Sequence, residues 1–435
     1  SREVSRVNQG LNEGEPPLEQ LAEEGCTERA DSQRATHGTI QRDAGEVRRF
    51  GAARLLSATS PKASARIAPV HLRNVDDPPE PAGLGWSKVT TRLAGICGSD
   101  LALIDGHAST YFEDFVSFPL IPGHEIIGEL ESGQRVVIEP VLGHAARGSV
   151  PPWESAAPAD GDDYAHLVRG HLKPGIQTGF CCSTGGGWAP WFWAHESQLH
   201  PVPDDMSDET AVLVEPLAGS VHAALIATQH TNHHLTDTES PIIAVLGAGT
   251  MGLGAIAAVR GALPNARIIA GARYPHQMRF AKGLGADVVA PGDELSRAVR
   301  RMSGAHRIGA SLSSGAHATI NAVGDSASIA LSINITRPRG AAVVLGMPGD
   351  TKLDLTPLWH REVALLGAYT YGTGHIDGAD VRTFDLALAL AERIDAERLL
   401  SATYRLDEHV EALAHAASAG RRGAVKIAFD LREDH

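Results

Sequence analysis

The stretch that most narrows the possible folds is Pro241-Ile242-Ile243-Ala244-Val245-Leu246, followed at once by Gly247-Ala248-Gly249-Thr250-Met251-Gly252. A continuous apolar run of this length reads as a strand buried on both faces, which belongs in a parallel sheet covered by helices. The three glycines have separate duties. Gly247 permits the tight turn, Gly249 lets the backbone approach a pyrophosphate, and Gly252 lets the following helix pack closely on the strand. The phosphates then meet the free N–H groups and the dipole of a helix N-terminus. Strand-like and helical segments alternate afterwards: Ala266 to Ala270, the helix His276 to Leu284, then Ile320 to Val323, Ala341 to Leu345 and Val363 to Ala368. This predicts an α/β unit with a doubly wound parallel sheet and a bound dinucleotide.

The end of the second strand bears on which dinucleotide. An NAD site usually has Asp or Glu about twenty residues after the glycines, on the ribose 2′-hydroxyl. Here that place is taken by Ala272, with Arg273 beside it. A guanidinium can pair with a 2′-phosphate, so the pattern favours NADP over NAD.

A second constellation lies upstream. Gly95-Ile96-Cys97-Gly98-Ser99-Asp100 and Pro122-Gly123-His124-Glu125 are short turns beside apolar segments, and Val214-Glu215-Pro216 opens a helical stretch. Thiolate, imidazole and carboxylate together form a ligand set for zinc, which accepts mixed S, N and O donors. Each residue alone has an ordinary reading: a buried thiol, a turn histidine, a first-turn helix carboxylate. Their co-occurrence with the glycine loop points to a metal-assisted dehydrogenase.

Taken together these motifs resemble the zinc-dependent medium-chain alcohol dehydrogenases, particularly the sorbitol- and threonine-dehydrogenase-like members. The likeness runs from about residue 47 to the end and includes Gly423-Ala424-Val425-Lys426. It implies a GroES-like β-rich catalytic domain and a Rossmann domain, with the active site in the cleft between them. Residues 1–44, polar and acidic, read as a disordered extension or a start-site artefact, and on the resemblance 45–214 are the first part of the catalytic domain. Residues 215–370 are then the nucleotide-binding domain, and 371–435 return to the catalytic domain.

The resemblance also implies roles. Cys97 and His124 are zinc ligands, Glu125 is a ligand that comes and goes, and Glu215 takes the third position, directly or through water. Asp100 orients His124, Ser99 receives the substrate's proton, and Lys426 lies near the cofactor. The implied reaction moves a hydride between a secondary alcohol or polyol, or the matching carbonyl, and NADP or NAD. The alternatives are a zinc-independent enone or quinone reductase of the same superfamily and a nucleotide-binding protein without catalysis. Dimers or tetramers are the expected assemblies.

Two departures from the family pattern stand out. The loop around Leu142 to Leu172 has no cysteine, so one catalytic zinc and no structural zinc is expected, with a loosely held loop. Its histidines, His144, His166 and His171, read as solvated. The position five residues after Cys97 is Ala102, which ends the family's proton relay at Ser99.

Other residues are open to more than one reading. Trp188, Trp191, Phe192 and Trp193 fit either a substrate wall or packing under the loop, while Tyr111 and Phe112 are pocket candidates. His230, His233 and His234 read as a polar loop. A net charge of -14 argues against a nucleic-acid surface. No apolar run is of membrane-spanning length, and the N-terminal residues lack the apolar core of a secretory signal. Four cysteines, two of them adjacent, make a disulfide framework improbable and suit the cytoplasm.

Overall fold

The computed structural model describes residues 36–42, 47–232, 240–376 and 378–432. Cys26, His233 and His234, and the acidic stretch before residue 36, lie outside the described residues. Among those described, no helix is long and apolar enough to cross a membrane.

The first elements depart from expectation. Strand β1 (Thr36–Arg42) pairs antiparallel with β2 (Val70–Asp76), although residues 1–44 were assigned no regular structure. Between them stand helices α1 (Val47–Ser57) and α2 (Pro61–Ile67). The partner of β1 is distant in sequence, so nothing local announces the pairing. The two helices are joined by the buried Ser64 hydroxyl, which donates to Ala53 O at 2.8 Å.

Strand β3 (Trp86–Gly95) leads into α3 (Gly98–Asp105). Then come β4 (Ile126–Leu130), β5 (Arg135–Ile138), β6 (Trp191–His195) and β7 (Leu199–Pro201). The short helix α4 (Asp208–Ala211) precedes the long α5 (Val214–Asn232).

The nucleotide-binding part begins at β8 (Ile242–Leu246), buried at every residue, and α6 (Thr250–Ala262). It continues through β9 (Arg267–Gly271), α7 (Pro275–Gly283), β10 (Val288–Ala290) and α8 (Leu295–Ser303). A small hairpin, β11 (Arg307–Ile308) and β12 (Ser311–Leu312), precedes β13 (Ala316–Asn321) and α9 (Ser326–Ile335). Strand β14 (Thr336–Val344), α10 (Thr356–His360) and β15 (Ala364–Gly367) complete it. All pairs in its six-stranded sheet are parallel, in the order β10-β9-β8-β13-β14-β15. That is the doubly wound order, whose direction reverses between β8 and β13.

A second hairpin, β16 (Thr373–Ile376) with β17 (Ala379–Arg382), leads to α11 (Thr383–Arg393). The chain then returns through β18 (Leu400–Tyr404), α12 (His409–Ala417) and β19 (Lys426–Asp430). The seven-stranded sheet runs β18-β19-β3-β4-β5-β7, with β6 on β3. The last strand of the chain thus lies beside the strand that ends at Cys97. Residues 51–68 pack here as well, where Ala53, Ala65 and Ala68 share a core with Ile96, Ile104, Ile427 and Phe429.

The cysteine-free loop is held from within. Arg147 is 2% exposed. Its guanidinium donates to Leu142 O at 3.2 Å, Arg169 O at 3.0 Å, Leu172 O at 3.5 Å, Lys173 O at 3.2 Å and Gly175 O at 2.7 Å. A planar five-donor fork suits such convergent carbonyls, and the loosely held loop expected from the sequence is not what is seen. His144 and His166 stack at 3.7 Å between ring centroids and are half-buried rather than solvated, while His171 is exposed. The aromatic stretch is packing: Trp188 and Phe192 are fully buried, and Trp193 Nε1 donates to Pro78 O at 3.0 Å.

Replacing Arg147 by Leu leaves these carbonyls without a donor, at about 1–3 kcal/mol for each that stays buried and unpaired. We expect a lower Tm and much faster protease cutting within residues 142–175. Unchanged cutting would show that the loop does not depend on Arg147.

Candidate active site

Two turns converge at the end of β3. Gly95 N donates to Glu125 O at 2.8 Å and Ile96 N to Ile427 O at 2.9 Å, so the Cys97 turn is fastened to the His124-Glu125 turn and to β19. Gly95 is needed at this contact, since a Cβ there would stand 2.0 Å from Glu125 Oε2. Cys97 then caps α3, and Asp100 Oδ2 accepts from Cys97 N at 2.9 Å. The other oxygen, Oδ1, faces His124 Nδ1 at 3.2 Å. His124 Nε2 is thereby turned into the cleft, where it lies 3.4 Å from Ser99 Oγ.

The donor atoms of Cys97, His124 and Glu125 all lie within 4.8 Å of one another. Glu215, in the first turn of α5, stands outside that group, and its Oε1 accepts a hydrogen bond from the Tyr371 hydroxyl. Lys426 Nζ donates to Glu125 Oε1 at 2.6 Å, to Glu125 Oε2 at 2.5 Å and to Ile96 O at 3.3 Å. Lys426 and Glu125 are both buried. The ammonium points at the donor group.

The electrostatics favour a cation. Burial pushes the Glu215 carboxyl up to about 7, with His124 lowering it and Glu125 raising it further. Burial opposes a charged His124 ring, but Asp100 and Cys97 outweigh it and raise the imidazole well above its ordinary value. Lys426 is likewise raised despite burial, by Glu125 and Cys97. Acidic, thiol and imidazole donors are thus buried together, and a bound divalent ion would favour the charged form of Glu215 that burial resists. Soft thiolate, imidazole and carboxylate, with Nδ1 held by a buried Asp, fit zinc.

The nucleotide loop sits where the sheet reverses. Gly247 has φ +89°, and a Cβ on Gly252 would stand 1.8 Å from Gly247 O, so the helix can approach only as glycine. Gly249 has open space where its Cβ would be. Ala272 is buried just beyond β9 and Arg273 beside it is exposed. Val323 and Met347, past the ends of β13 and β14, expose apolar side chains at the same crevice. Thr250 Oγ1 donates to Val425 O at 3.4 Å, which brings the nucleotide loop to the residue before Lys426.

Similarity to known proteins agrees with this geometry. A family model described as zinc-binding dehydrogenase matches residues 250–390, and one described as alcohol dehydrogenase GroES-like domain matches residues 83–204. The chain belongs to the zinc-binding medium-chain alcohol dehydrogenase family. Among its relatives, human sorbitol dehydrogenase is 26% identical over 345 residues, covering 77% of this chain and 86% of that one. The erythritol/L-threitol dehydrogenase of Mycolicibacterium smegmatis is 26% identical over 310 residues, covering 66% and 76%. The fold resembles that of 2R,3R-butanediol dehydrogenase from Bacillus subtilis, with a TM-score of 0.59, 21% identity, and coverage of 83% and 96%. The protein is thus a zinc-dependent dehydrogenase with a GroES-like domain and a Rossmann-like domain, of the NAD(P)-dependent alcohol and polyol class.

Within this dehydrogenase the sequence motifs for Cys97, Ser99, Asp100, His124 and Glu125 come together, and Glu215 is hydrogen-bonded to Tyr371. Motif reading missed Tyr371. The residue is buried, and its phenol is raised well above its ordinary value by burial and by Glu215. No short motif marks Tyr371, because its partner Glu215 lies 156 positions away in the chain.

Lys426→Met removes the counter-charge of a buried carboxylate, which costs about 3–5 kcal/mol where one partner of a buried pair is lost. Urea unfolding of the metal-free protein should show that loss, and Glu125→Gln in the same chain should restore most of it. Equal stability of Lys426→Met and wild type would contradict the pairing.

Proposed function

We propose that the protein oxidises a secondary alcohol or polyol, or reduces the matching carbonyl, with NADP preferred to NAD. The observation that carries this reading is the meeting of Cys97, His124 and Glu125 donors within 4.8 Å at the edge of a dinucleotide site. The polyol class is supported by the sorbitol and erythritol/L-threitol dehydrogenases among its relatives. A zinc-independent reductase would have no use for the retained donors.

In this proposal Cys97, His124 and Glu125 hold the zinc, with Glu215 as the further acidic donor. Zinc supplies Lewis acidity toward the substrate oxygen, and the nicotinamide carries the hydride. Asp100 fixes the His124 ring and the Cys97 backbone, so both donors are oriented before substrate arrives. Ser99 Oγ, 3.4 Å from His124 Nε2, is placed to take the proton of the substrate hydroxyl. With Ala102 where relatives carry a histidine, the proton leaves Ser99 through water or cofactor hydroxyls. Tyr111 and Phe112, at the short turn Thr110–Phe115, form part of the substrate wall.

The division of the chain at about residues 45, 214 and 370 belongs to the same reading, as does assembly into dimers or tetramers. One zinc per chain is proposed, because Arg147 provides the cross-link in the loop where many relatives carry a second ion. Cys97 and Cys181 form no disulfide, which suits a reducing cytoplasm.

Arg273 is the nucleotide-selecting residue in this account. Arg273→Ala removes a charge-assisted contact to the 2′-phosphate and should weaken NADPH binding about 10- to 100-fold while leaving NADH unchanged. Fluorescence titration of the purified protein with both reduced cofactors measures this. Tighter NADH binding by the wild type would overturn the NADP preference. A panel of polyols and simple secondary alcohols at fixed NADP, followed by nicotinamide absorbance, tests the substrate class, and turnover of enones alone would exclude it.

A further inference from the structure

Glu215 is not left to find its own orientation. Its Oε1 accepts from the Tyr371 hydroxyl, and the phenol that donates is fixed on every side. The Tyr371 ring meets Phe384 edge-on at 4.8 Å between centroids, and Phe384 is fully buried. Next to it, Gly372 N donates to Thr383 Oγ1 at 3.0 Å. One residue further, Thr373 is bound twice by a single carboxylate: Thr373 N donates to Asp160 Oδ1 at 3.0 Å and Thr373 Oγ1 to Asp160 Oδ2 at 2.6 Å. Asp160 is itself oriented by Ala157 N, which donates to Oδ2 at 2.8 Å. Asp160 belongs to the cysteine-free loop, the one knit together by Arg147.

We propose that Tyr371 is a positioning residue for Glu215, and that Asp160 holds Tyr371 in place, so that the cysteine-free loop supports the metal site directly. A glutamate in the first turn of a helix has several rotamers to choose from, and fixing one costs side-chain entropy when a metal must do it. The Tyr371 hydroxyl fixes it beforehand. It occupies Oε1 and leaves Oε2 as the available donor, which favours one-oxygen engagement of the ion over chelation by both. A phenylalanine would pack against Phe384 equally well, so the hydroxyl is what this position adds. The loop that lacks structural-zinc cysteines has therefore kept a connection to the catalytic centre through a carboxylate and a phenol.

This inference rests on the reading of Glu215 as an acidic donor to zinc, and the test separates the two. Tyr371→Phe, Glu215→Gln and the double variant are compared with wild type for zinc transfer to a colorimetric chelator and for the visible absorption of the cobalt-substituted protein. Orienting partners of metal ligands are worth about 10- to 100-fold in metal affinity or activity. Tyr371→Phe should weaken zinc binding by that factor and shift the cobalt bands, with NADPH binding retained as the control for folding. In the Glu215→Gln background Tyr371→Phe should add less than about twofold, because a residue acting through Glu215 has nothing left to act on. Asp160→Asn should move both readouts in the same direction by a smaller amount. Unaltered zinc transfer and unaltered cobalt bands in Tyr371→Phe would overturn the proposal while leaving the zinc site intact. Unaltered bands in Glu215→Gln as well would remove Glu215 from the site, and with it the reading on which the proposal stands.

Discussion

Asp100 is the point on which the site turns. It is fully buried, and one carboxylate reaches both turns that carry the donors: the Cys97 backbone through Oδ2 and the His124 ring through Oδ1. Oδ2 is hydrogen-bonded, while Oδ1 acts on the His124 ring through its charge at 3.2 Å without hydrogen-bond alignment, so the two turns are held by one carboxylate in two ways. The consequence is an imidazole whose Nε2 already faces the cleft. Glu125 is managed in the same way by Lys426, which neutralises a charge that would otherwise raise the cost of placing further carboxylates nearby.

The remaining architecture brings a nucleotide to this prepared group. The parallel sheet reverses direction between β8 and β13, which opens a crevice, and the glycine loop forms one side of it. Strand β19 belongs to the other sheet, yet the residues just before it touch both the start of α6 and the histidine of α7: Val425 O accepts from Thr250 Oγ1, and Ala424 O lies 3.2 Å from His276 Nε2. The chain end thus connects metal turn and nucleotide loop within a few residues. Hydride transfer needs that closeness, because reacting atoms must be held in register rather than meet by diffusion.

What could be read from the sequence was local. The glycine loop, the two donor turns and the buried β8 strand each declare themselves within a few consecutive residues, because tight turns and helix N-termini demand particular residue types. The features that were not legible depend on partners far along the chain. Strand β1 needs β2, and the carbonyls around Arg147 come from loop residues up to Gly175. Tyr371 gains its role from Glu215, Phe384 and Asp160, none of them a sequence neighbour. Lys426 was recognised as significant, but its direction was set by Glu125, which only the packing of β19 on β3 reveals. The tryptophans before His195 fitted a substrate wall or core packing equally in the sequence, and burial of Trp188 and Trp191 decides for packing.

Calorimetric titration of zinc into the metal-free protein, for wild type and Asp100→Ala, tests this account most directly. The account predicts one zinc per chain for wild type and affinity about 10- to 100-fold weaker for Asp100→Ala, since both donors lose the group that orients them. Equal affinity in the two proteins would show that Asp100 does not organise the site.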